Sequence, residues 1–457
     1  MNGFYAFHPL DSGLAASHWF EKIRHLPLPV VLASGGSTHA AARYDILAAA
    51  PRCVLRTEQQ RTVISMNDGT APVSTQEDPF TVLARYCPID AATTAPQELP
   101  FAGGAIGYFG YELLHNTYRI DHGAKPELGL PDMLVGIYDW AVIVDNQTGR
   151  TLLVCRGIDA QHQEELLKIL RTTAVPSAPS FRLLAPFESN FSKTEYLKRF
   201  QRIIDYIHAG DCYQVNLAQC FTARCAGDSW QAFQRLQARV NAPFAAYLED
   251  GSRAILSFSP ERFLRVQENE VLTQPIKGTR PRSFEPLHDV ANRLDLESSD
   301  KDRAENLMIV DLLRNDLGRV CATGSVRVEN LFETQSFTNV HHLVSTIKGK
   351  LADARDVFKL MRACFPGGSI TGTPKQRAME IINELESSRR SVYCGVIGYI
   401  DYSGNMDSNI AIRTLVRSGE HMRCWGGGGI VADSVGDEEY QETLDKISIF
   451  IKNLQQP

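Results

Sequence analysis

An α+β fold is what this sequence predicts, and three observations predict it. Short β-rich runs fill roughly the first 175 residues, a well-signalled helix opens the second part, and strands and helices beyond it come in mixed order. Regular βαβ alternation is missing from that order, and so is an internal repeat, which argues against a doubly wound sheet or a solenoid. The runs of the first part are VVLASGG, RCVLR, GIYDWAVIVD and TLLVC, broken by Gly, Pro and Asn turns, with one helical segment near Gln163 to Leu170. Twisted antiparallel sheet fits that spacing. AVPSAPSFRLLAPFESN, at 174–190, has the Pro and Ser content of a connection between lobes. Ser192 then caps a helix, with Glu195 three residues on as a capping box and Tyr196, Phe200, Ile203, Ile204 and Ile207 as its apolar stripe. The expected division is a first lobe over 1–175, a linker over 176–190 and a second lobe over 191–457.

Composition narrows the partner. The 457 residues carry a formal charge of −6 with both signs interspersed, and no basic stripe points to nucleic acid or an anionic membrane. A small solute fits better. Ten cysteines are scattered without a CxxC pair, the usage expected of reduced thiols in a cytoplasmic protein. The N-terminal stretch lacks a basic start followed by an apolar run, and no apolar run approaches membrane-spanning length.

Several constellations could carry chemistry. SSDKDRAENLMIVDLLRNDLGRV reads as a helix apolar on nearly every side after Glu305, with Asp302 and Glu305 three apart on one face. DEEYQETLDKISIF repeats the arrangement with Glu439, Glu442 and Lys446. Two carboxylate pairs with no histidine or thiolate pair nearby suit a hard divalent ion such as Mg²⁺, although acidic helix faces are commonly just solvated. Arg413 lies in NIAIRTLV, an apolar run that reads as a strand, where a guanidinium needs an anionic partner. Gly426 to Gly429 either form a tight turn or let backbone N–H groups converge on an anion. PGGSITGTPKQRAMEII is not a phosphate loop, since Thr-Pro-Lys follows Gly372. Thr373 instead reads as the cap of a helix with Pro374 at its first position. Lys277 follows a short apolar approach from Val271 and precedes Gly278, where a strand ends in a turn. It is either ordinary surface charge or a nucleophile, and the second role requires it to be neutral despite an ordinary pKa of about 10.4.

Together SFSPERF, QPIKGTRPR, KDRAENLMIVDLLRND, FPGGSITGTPK, YCGVIGYI, NIAIRT and GGGGIVADS…YQETLDK resemble the chorismate-utilising enzymes, whose members include anthranilate, isochorismate and salicylate synthases. VVLASGG, ARYDI, LPFAGGAIGYFGYEL and LPDMLVGIYDWA extend the resemblance into the first lobe of the amidotransferase members. It implies their fold: two interwoven lobes whose antiparallel sheets form a sandwich core, with helices outside. The lysine of PIKGT is the variant of members that aminate chorismate at C4, where others carry alanine or another small residue. It implies 4-amino-4-deoxychorismate as product, for 4-aminobenzoate and folate synthesis.

Roles follow from the same resemblance where motifs match. Lys277 would attack C2 of the ring, and Glu261 would be the general acid for the departing hydroxyl. Glu305 and Glu442 would hold Mg²⁺, with Asp302 and Glu439 adjacent. Arg413, Tyr393, Lys446 and the glycines 427, 428 and 429 would surround the substrate carboxylates. Gly278, Thr279 and His342 would line the reacting centre. Gln214 stands where water-adding relatives carry a lysine base. Ser34, Pro243 and Phe244 match a tryptophan pocket known in some relatives, but Ala40 to Ala42 replace the larger side chains expected there. No glutaminase-type cysteine elbow is present, so ammonia is expected from a separate glutaminase subunit in a heterodimer, and pyruvate elimination from another protein. The alternatives are anthranilate synthase component I, a non-catalytic amino-acid-sensing scaffold for a glutaminase, and a lysine Schiff-base or pyridoxal-phosphate enzyme.

Overall fold

The computed structural model describes residues 4–35, 43–90, 99–120, 129–172, 179–337 and 340–455. Two large antiparallel sheets organise them. The first runs through strands Tyr5–Leu10, Thr151–Arg156, Trp140–Asp145, Tyr44–Ala48, Val30–Ala33, Phe244–Asp250, Arg253–Ser259, Thr414–Ser418, His421–Ile430 and Gln214–Ala226. The second runs from Ile276–Pro281 through Val340–Lys350, Glu270–Thr273, Arg262–Gln267, Met406–Ile410, Val396–Asp401, Gly104–Phe109, Met133–Tyr138, Cys53–Glu58 and Arg61–Met66 to Val73–Thr75.

Each sheet is half N-terminal and half C-terminal in sequence. The seam of the first is Ala33 opposite Ala245, and that of the second is Phe109 opposite Val396. Two short strands from the Pro- and Ser-rich connection, Arg182–Leu183 and Glu188–Ser189, pair with Gln214–Ala226. The lobes are therefore interwoven, as the family resemblance implies.

Strand periodicity sets the layers. Val30, Ile46 and Ile143 point into the core shared with the second sheet, whose Ile106, Ile137, Leu264 and Ile397 meet them. Their neighbours Val31, Leu47, Val142 and Val144 point the other way, as alternating side chains must. Against that outer face pack helices Ala16–Ile23, Ala160–Arg171, Ser229–Val240 and Gly436–Gln455, through Phe20, Leu166, Trp230 and Phe450. An aromatic chain ties the last of them down. Trp230 stacks on Phe233, Phe233 on Phe258, and Phe258 lies 5.8 Å from Phe450 on the C-terminal helix. All ten cysteines are free and buried. Among the described residues no helix is long and apolar enough to cross a membrane.

Local signals behave unevenly. The capping box at Ser192 and Glu195 forms in both directions on helix Lys193–His208. The acidic helix spans Asp300–Gly318, but it buries one face, through Asn306, Ile309, Val310, Leu313, Asp316 and Leu317, and leaves Leu307 exposed. The near-continuous apolar run overstated its burial. Thr373 does not cap the following helix. It pairs with Gln214 in a short strand, and Pro374 takes the cap position of Lys375–Leu385.

Candidate active site

Lys277 owes its direction to a bulge. Strand Ile276–Pro281 does not end at Gly278 as expected; it continues with its register against Val340–Lys350 slipped between Lys277 and Thr279. Gly278 sits at φ +76°, and a Cβ there would come within 2.7 Å of Leu296 and 2.8 Å of Asp302, so only glycine fits. The Lys277 side chain is mostly buried, with Nζ 3.8 Å from Glu305 Oε2. Asn306, the residue after Glu305, donates to the carbonyl of Leu343 and accepts from Ser345. Leu343 lies opposite Lys277, so this contact sets the acidic helix at a fixed height over the lysine.

These groups face a cavity of about 1530 Å³ between the two sheets. Glu261 lines it on one side, buried, and accepts a hydrogen bond from Ser369 Oγ at 2.9 Å. Burial pushes its carboxyl up to about 7, against the Ser369 hydrogen bond and the charge of Lys277. A carboxylic acid that keeps its proton near neutrality is suited to give it away. On the far side, His342 bonds Thr279 through Nδ1 at 2.9 Å. Burial pushes its imidazole down to about 4, so it is neutral at physiological pH.

The four glycines are neither a turn nor a nest of converging N–H groups. They lie within strand His421–Ile430, paired with Gln219, Ala218, Leu217 and Asn216. Their use is steric. A Cβ on Gly426 would meet the backbone oxygen of Thr443 at 2.2 Å, so the C-terminal helix packs directly on the strand. A Cβ on Gly428 would lie 2.8 Å from Glu439 Oε2 and 3.6 Å from Glu442 Oε1. Lys446 pairs with Glu442 at 2.5 Å and donates to the carbonyl of Gly427 at 2.7 Å. Gly427, Gly429, Glu439, Glu442 and Lys446 line the same cavity as Asp302 and Glu305.

Two helices thus bring four carboxylates to one space, with oxygen donors only. Glu439 accepts from Ser434 through Oε1, while among the described residues its buried Oε2 has no partner. Burial raises both Glu439 and Glu305; the charge of Glu442 adds to each rise, and that of Lys277 opposes it at Glu305. A buried, unpaired carboxylate oxygen beside further carboxylates is the donor set a hard divalent cation takes. Among the described residues no three His, Cys, Asp or Glu side chains are already close enough to chelate one.

Arg413 lies outside the strands, at φ +52° where the chain crosses from Met406–Ile410 in the second sheet to Thr414–Ser418 in the first. The crossing explains why an apolar run with strand composition is broken there. Among the described residues its guanidinium has no ion-pair partner; burial lowers it, and the charges of Tyr393 and Glu442 oppose that. It reaches the cavity together with Tyr393, whose ring stacks on Trp425 at 5.8 Å.

Gln214 is completely buried beneath Gly429, and among the described residues neither polar atom of its carboxamide has a partner. In the first lobe, Ser34 donates to the buried Asp45 and accepts from Asn146. Phe244 lies beneath the guanidinium of Arg262, and Pro243 reaches the cavity. Ala40 to Ala42 lie outside the described residues.

Sequence reasoning passed over two contributors. Ser369, within PGGSITG, touches Glu261 from 108 residues away. Arg390, buried, binds Glu386 at 2.7 Å and the carbonyls of Ile370 and Asn216 at 2.9 Å, which fixes the segment carrying Ser369. The paired arginines of SSRRSVYCG were the available signal, since a charge so near an apolar run needs a buried partner.

The chain as a whole is similar to known proteins. The family model for chorismate binding enzymes matches residues 36–452, and the chain belongs to that family. It is 46% identical over 445 residues to aminodeoxychorismate synthase component 1 of Escherichia coli K12, covering 96% of each chain. The corresponding protein of Streptomyces lividans is 38% identical over 419 residues, 91% of this chain and 87% of the other. Among solved structures, anthranilate synthase component I of Streptococcus pneumoniae TIGR4 superposes with a TM-score of 0.79 at 31% identity, covering 90% of this chain and 92% of that one. The menaquinone-specific isochorismate synthase of Escherichia coli shares the fold, with a TM-score of 0.75 at 18% identity over 99% and 95% of the two chains.

Proposed function

We propose that this chain aminates chorismate at C4, giving 4-amino-4-deoxychorismate for 4-aminobenzoate and folate synthesis. The observation that carries the proposal is Lys277, turned by the Gly278 bulge into a cavity that also holds Glu261 and the two carboxylate pairs. Its likeness to aminodeoxychorismate synthase component 1 over 96% of the chain supports it.

In this account the Lys277 amine attacks C2 of the ring, both ring double bonds shift by one position, and the C4 hydroxyl leaves as water with the proton of Glu261. Ammonia then adds at C4, the double bonds shift back and expel the lysine from C2, and the new ammonium returns a proton to Glu261, so the net change is hydroxyl for amine with release of water. His342, neutral, and Thr279 border the reacting carbons without adding charge. Arg413 and Lys446 receive the substrate carboxylates, beside Gly427 and Gly429, whose missing side chains leave room for them. Glu305 and Glu442, with Asp302 and Glu439 beside them, would hold Mg²⁺, which when bound offsets the charge of the ring carboxylate. Gln214 carries a carboxamide, which cannot serve as a base, at the position where water-adding relatives have a lysine, and it lies beneath Gly429 rather than on the cavity wall.

Ammonia comes from a separate glutaminase component, in keeping with the "component 1" in the relatives' name. The free, buried thiols support a cytoplasmic setting. A tryptophan site beside Ser34, Pro243 and Phe244 completes the proposal, and calorimetric titration with tryptophan tests it. For the activity itself, chorismate, Mg²⁺ and ammonium are incubated with the purified chain and the product is identified by chromatography. Aminodeoxychorismate is expected; fluorescent anthranilate would make the chain an anthranilate synthase component instead.

A further inference from the structure

The turn that carries Ser369 is held from three sides, and none of that support comes from the Ser369 hydroxyl. Thr371 Oγ1 donates to the carbonyl of Gly367 at 2.9 Å and closes the turn, while Arg390 donates to the carbonyl of Ile370 at 2.9 Å. A Cβ on Gly368 would lie 2.5 Å from Leu312, so the acidic helix Asp300–Gly318 packs directly on the turn. A serine in such a turn commonly bonds the backbone of its own segment. Here Thr371 does that, and among the described residues the one hydrogen-bond partner of the Ser369 hydroxyl is Glu261.

Glu261 is fixed as firmly. Its N–H donates to Ser259 Oγ at 3.2 Å, and its carbonyl accepts from the N–H of Ile410 at 3.1 Å. At the side chain, Ser369 Oγ stands 2.9 Å from Oε1, and the backbone N–H of Ile276, next to Lys277, also donates to the carboxyl group. Ser369 and Glu261 both line the cavity.

Amination asks two things of Glu261 that burial alone does not supply. Its proton must sit on a defined oxygen when the C4 hydroxyl leaves, and the carboxylate left behind must persist in a buried site until the new ammonium returns a proton. A hydroxyl that donates to Oε1 serves both ends. In the neutral acid the accepting oxygen is the carbonyl oxygen, which leaves the proton on Oε2; in the carboxylate the same hydrogen bond becomes charge-assisted and stronger. We propose that Ser369 is a positioning residue for the acid, whose hydroxyl keeps the proton of Glu261 on Oε2 and stabilises the carboxylate that remains once that proton has left with the C4 hydroxyl as water. The role rests on the amination proposed above, with Glu261 as its acid. Lys277 of strand Ile276–Pro281 and Lys446 of the C-terminal helix face Glu261 with charges that favour the carboxylate too, and both remain when Ser369 is replaced.

The test compares Ser369→Ala and Ser369→Thr with the parent, using chorismate, Mg²⁺ and ammonium from about pH 5.5 to 9. Total ammonium is kept equal, so its own titration cancels from each ratio of variant to parent. The alanine variant loses a hydrogen bond that favours the carboxylate and holds its proton to higher pH, so the alkaline limb of kcat/KM for chorismate should move up by about one pH unit. Below the limb, kcat should fall about tenfold with KM within about twofold of the parent. Ser369→Thr, which keeps the hydroxyl, should return the limb to its parental position. A serine that only shapes the turn would lower the rate without moving the limb, so an unmoved limb in Ser369→Ala overturns the proposal. A raised KM at parental kcat overturns it as well, by making Ser369 a substrate ligand. Urea unfolding reads the same contact without substrate. The stability deficit of Ser369→Ala should widen as pH rises through about 7 to 8, where its folded form keeps a proton that the parent has released, and a constant deficit would refute the role. A parent that forms no aminodeoxychorismate from ammonium overturns the amination and this role with it, a result distinct from an active parent whose limb Ser369→Ala leaves in place.

Discussion

Glu261→Gln should stabilise the protein while disabling it, and by an amount that grows with pH. The substitution keeps the shape and an oxygen for Ser369 to donate to, and removes only the ionisable group. Glu261 titrates near 7 in the folded chain and near 4.5 when free. Between those values the folded form holds a proton that the unfolded form has released, so stability falls as pH rises through that window. The cost is absent below pH 4.5 and complete above 7. At about 1.4 kcal/mol per pH unit, the ionisable side chain costs about 1 kcal/mol at pH 5.5 and about 3 kcal/mol at pH 8.5. Glutamine has no such cost. Asp401 and Glu112, also raised by burial, titrate in both proteins and cancel from the comparison. Urea unfolding of parent and variant at the two pH values measures the gap, and turnover with ammonium measures the loss, expected at about a hundredfold or more. A stability gap that does not widen from pH 5.5 to 8.5 would mean that Glu261 is ionised in the free enzyme, and the argument for it as the acid would fail.

Three further outcomes follow from the same geometry. Gly428→Ala, which sets a methyl 2.8 Å from Glu439 Oε2, should weaken Mg²⁺ binding about tenfold or more in a calorimetric titration without substrate. An unchanged affinity would remove Glu439 and Glu442 from the metal site. The imidazole resonances of His342 should stay those of a neutral ring down to about pH 5, because burial holds the group near 4, and titration around 6.5 would contradict its buried setting. Arg390→Ala leaves Glu386 buried without its partner and should cost about 3–5 kcal/mol in urea unfolding; a loss under 1 kcal/mol would show the network to be dispensable.

What was legible in the sequence was local. The Ser192 cap, the apolar stripe behind it and the alternation of the first-lobe strands are each decided by residues a few positions apart. The acidic pairs were legible too, because helical spacing alone puts Asp302 with Glu305 and Glu439 with Glu442. The rest depends on what arrives from elsewhere. Gly426 to Gly429 read as a turn or an anion nest until Thr443 and the carboxylates of another helix lie against them. Arg413 has strand neighbours on both sides, yet it sits where the chain changes sheets. Ser369 and Glu261 meet across 108 residues, and the seam of the second sheet joins Phe109 to Val396.

A covalent bond between Lys277 and the ring would be read by mass spectrometry of the protein and of its peptides. Chorismate and Mg²⁺ are added without ammonia, the reaction is quenched, and the protein is digested. The expected result is a gain equal to chorismate less water, confined to the peptide carrying QPIKGTR, absent from Lys277→Ala and discharged by ammonium. Aminodeoxychorismate formed by Lys277→Ala at the parental rate, with no adduct on the parent, would contradict it.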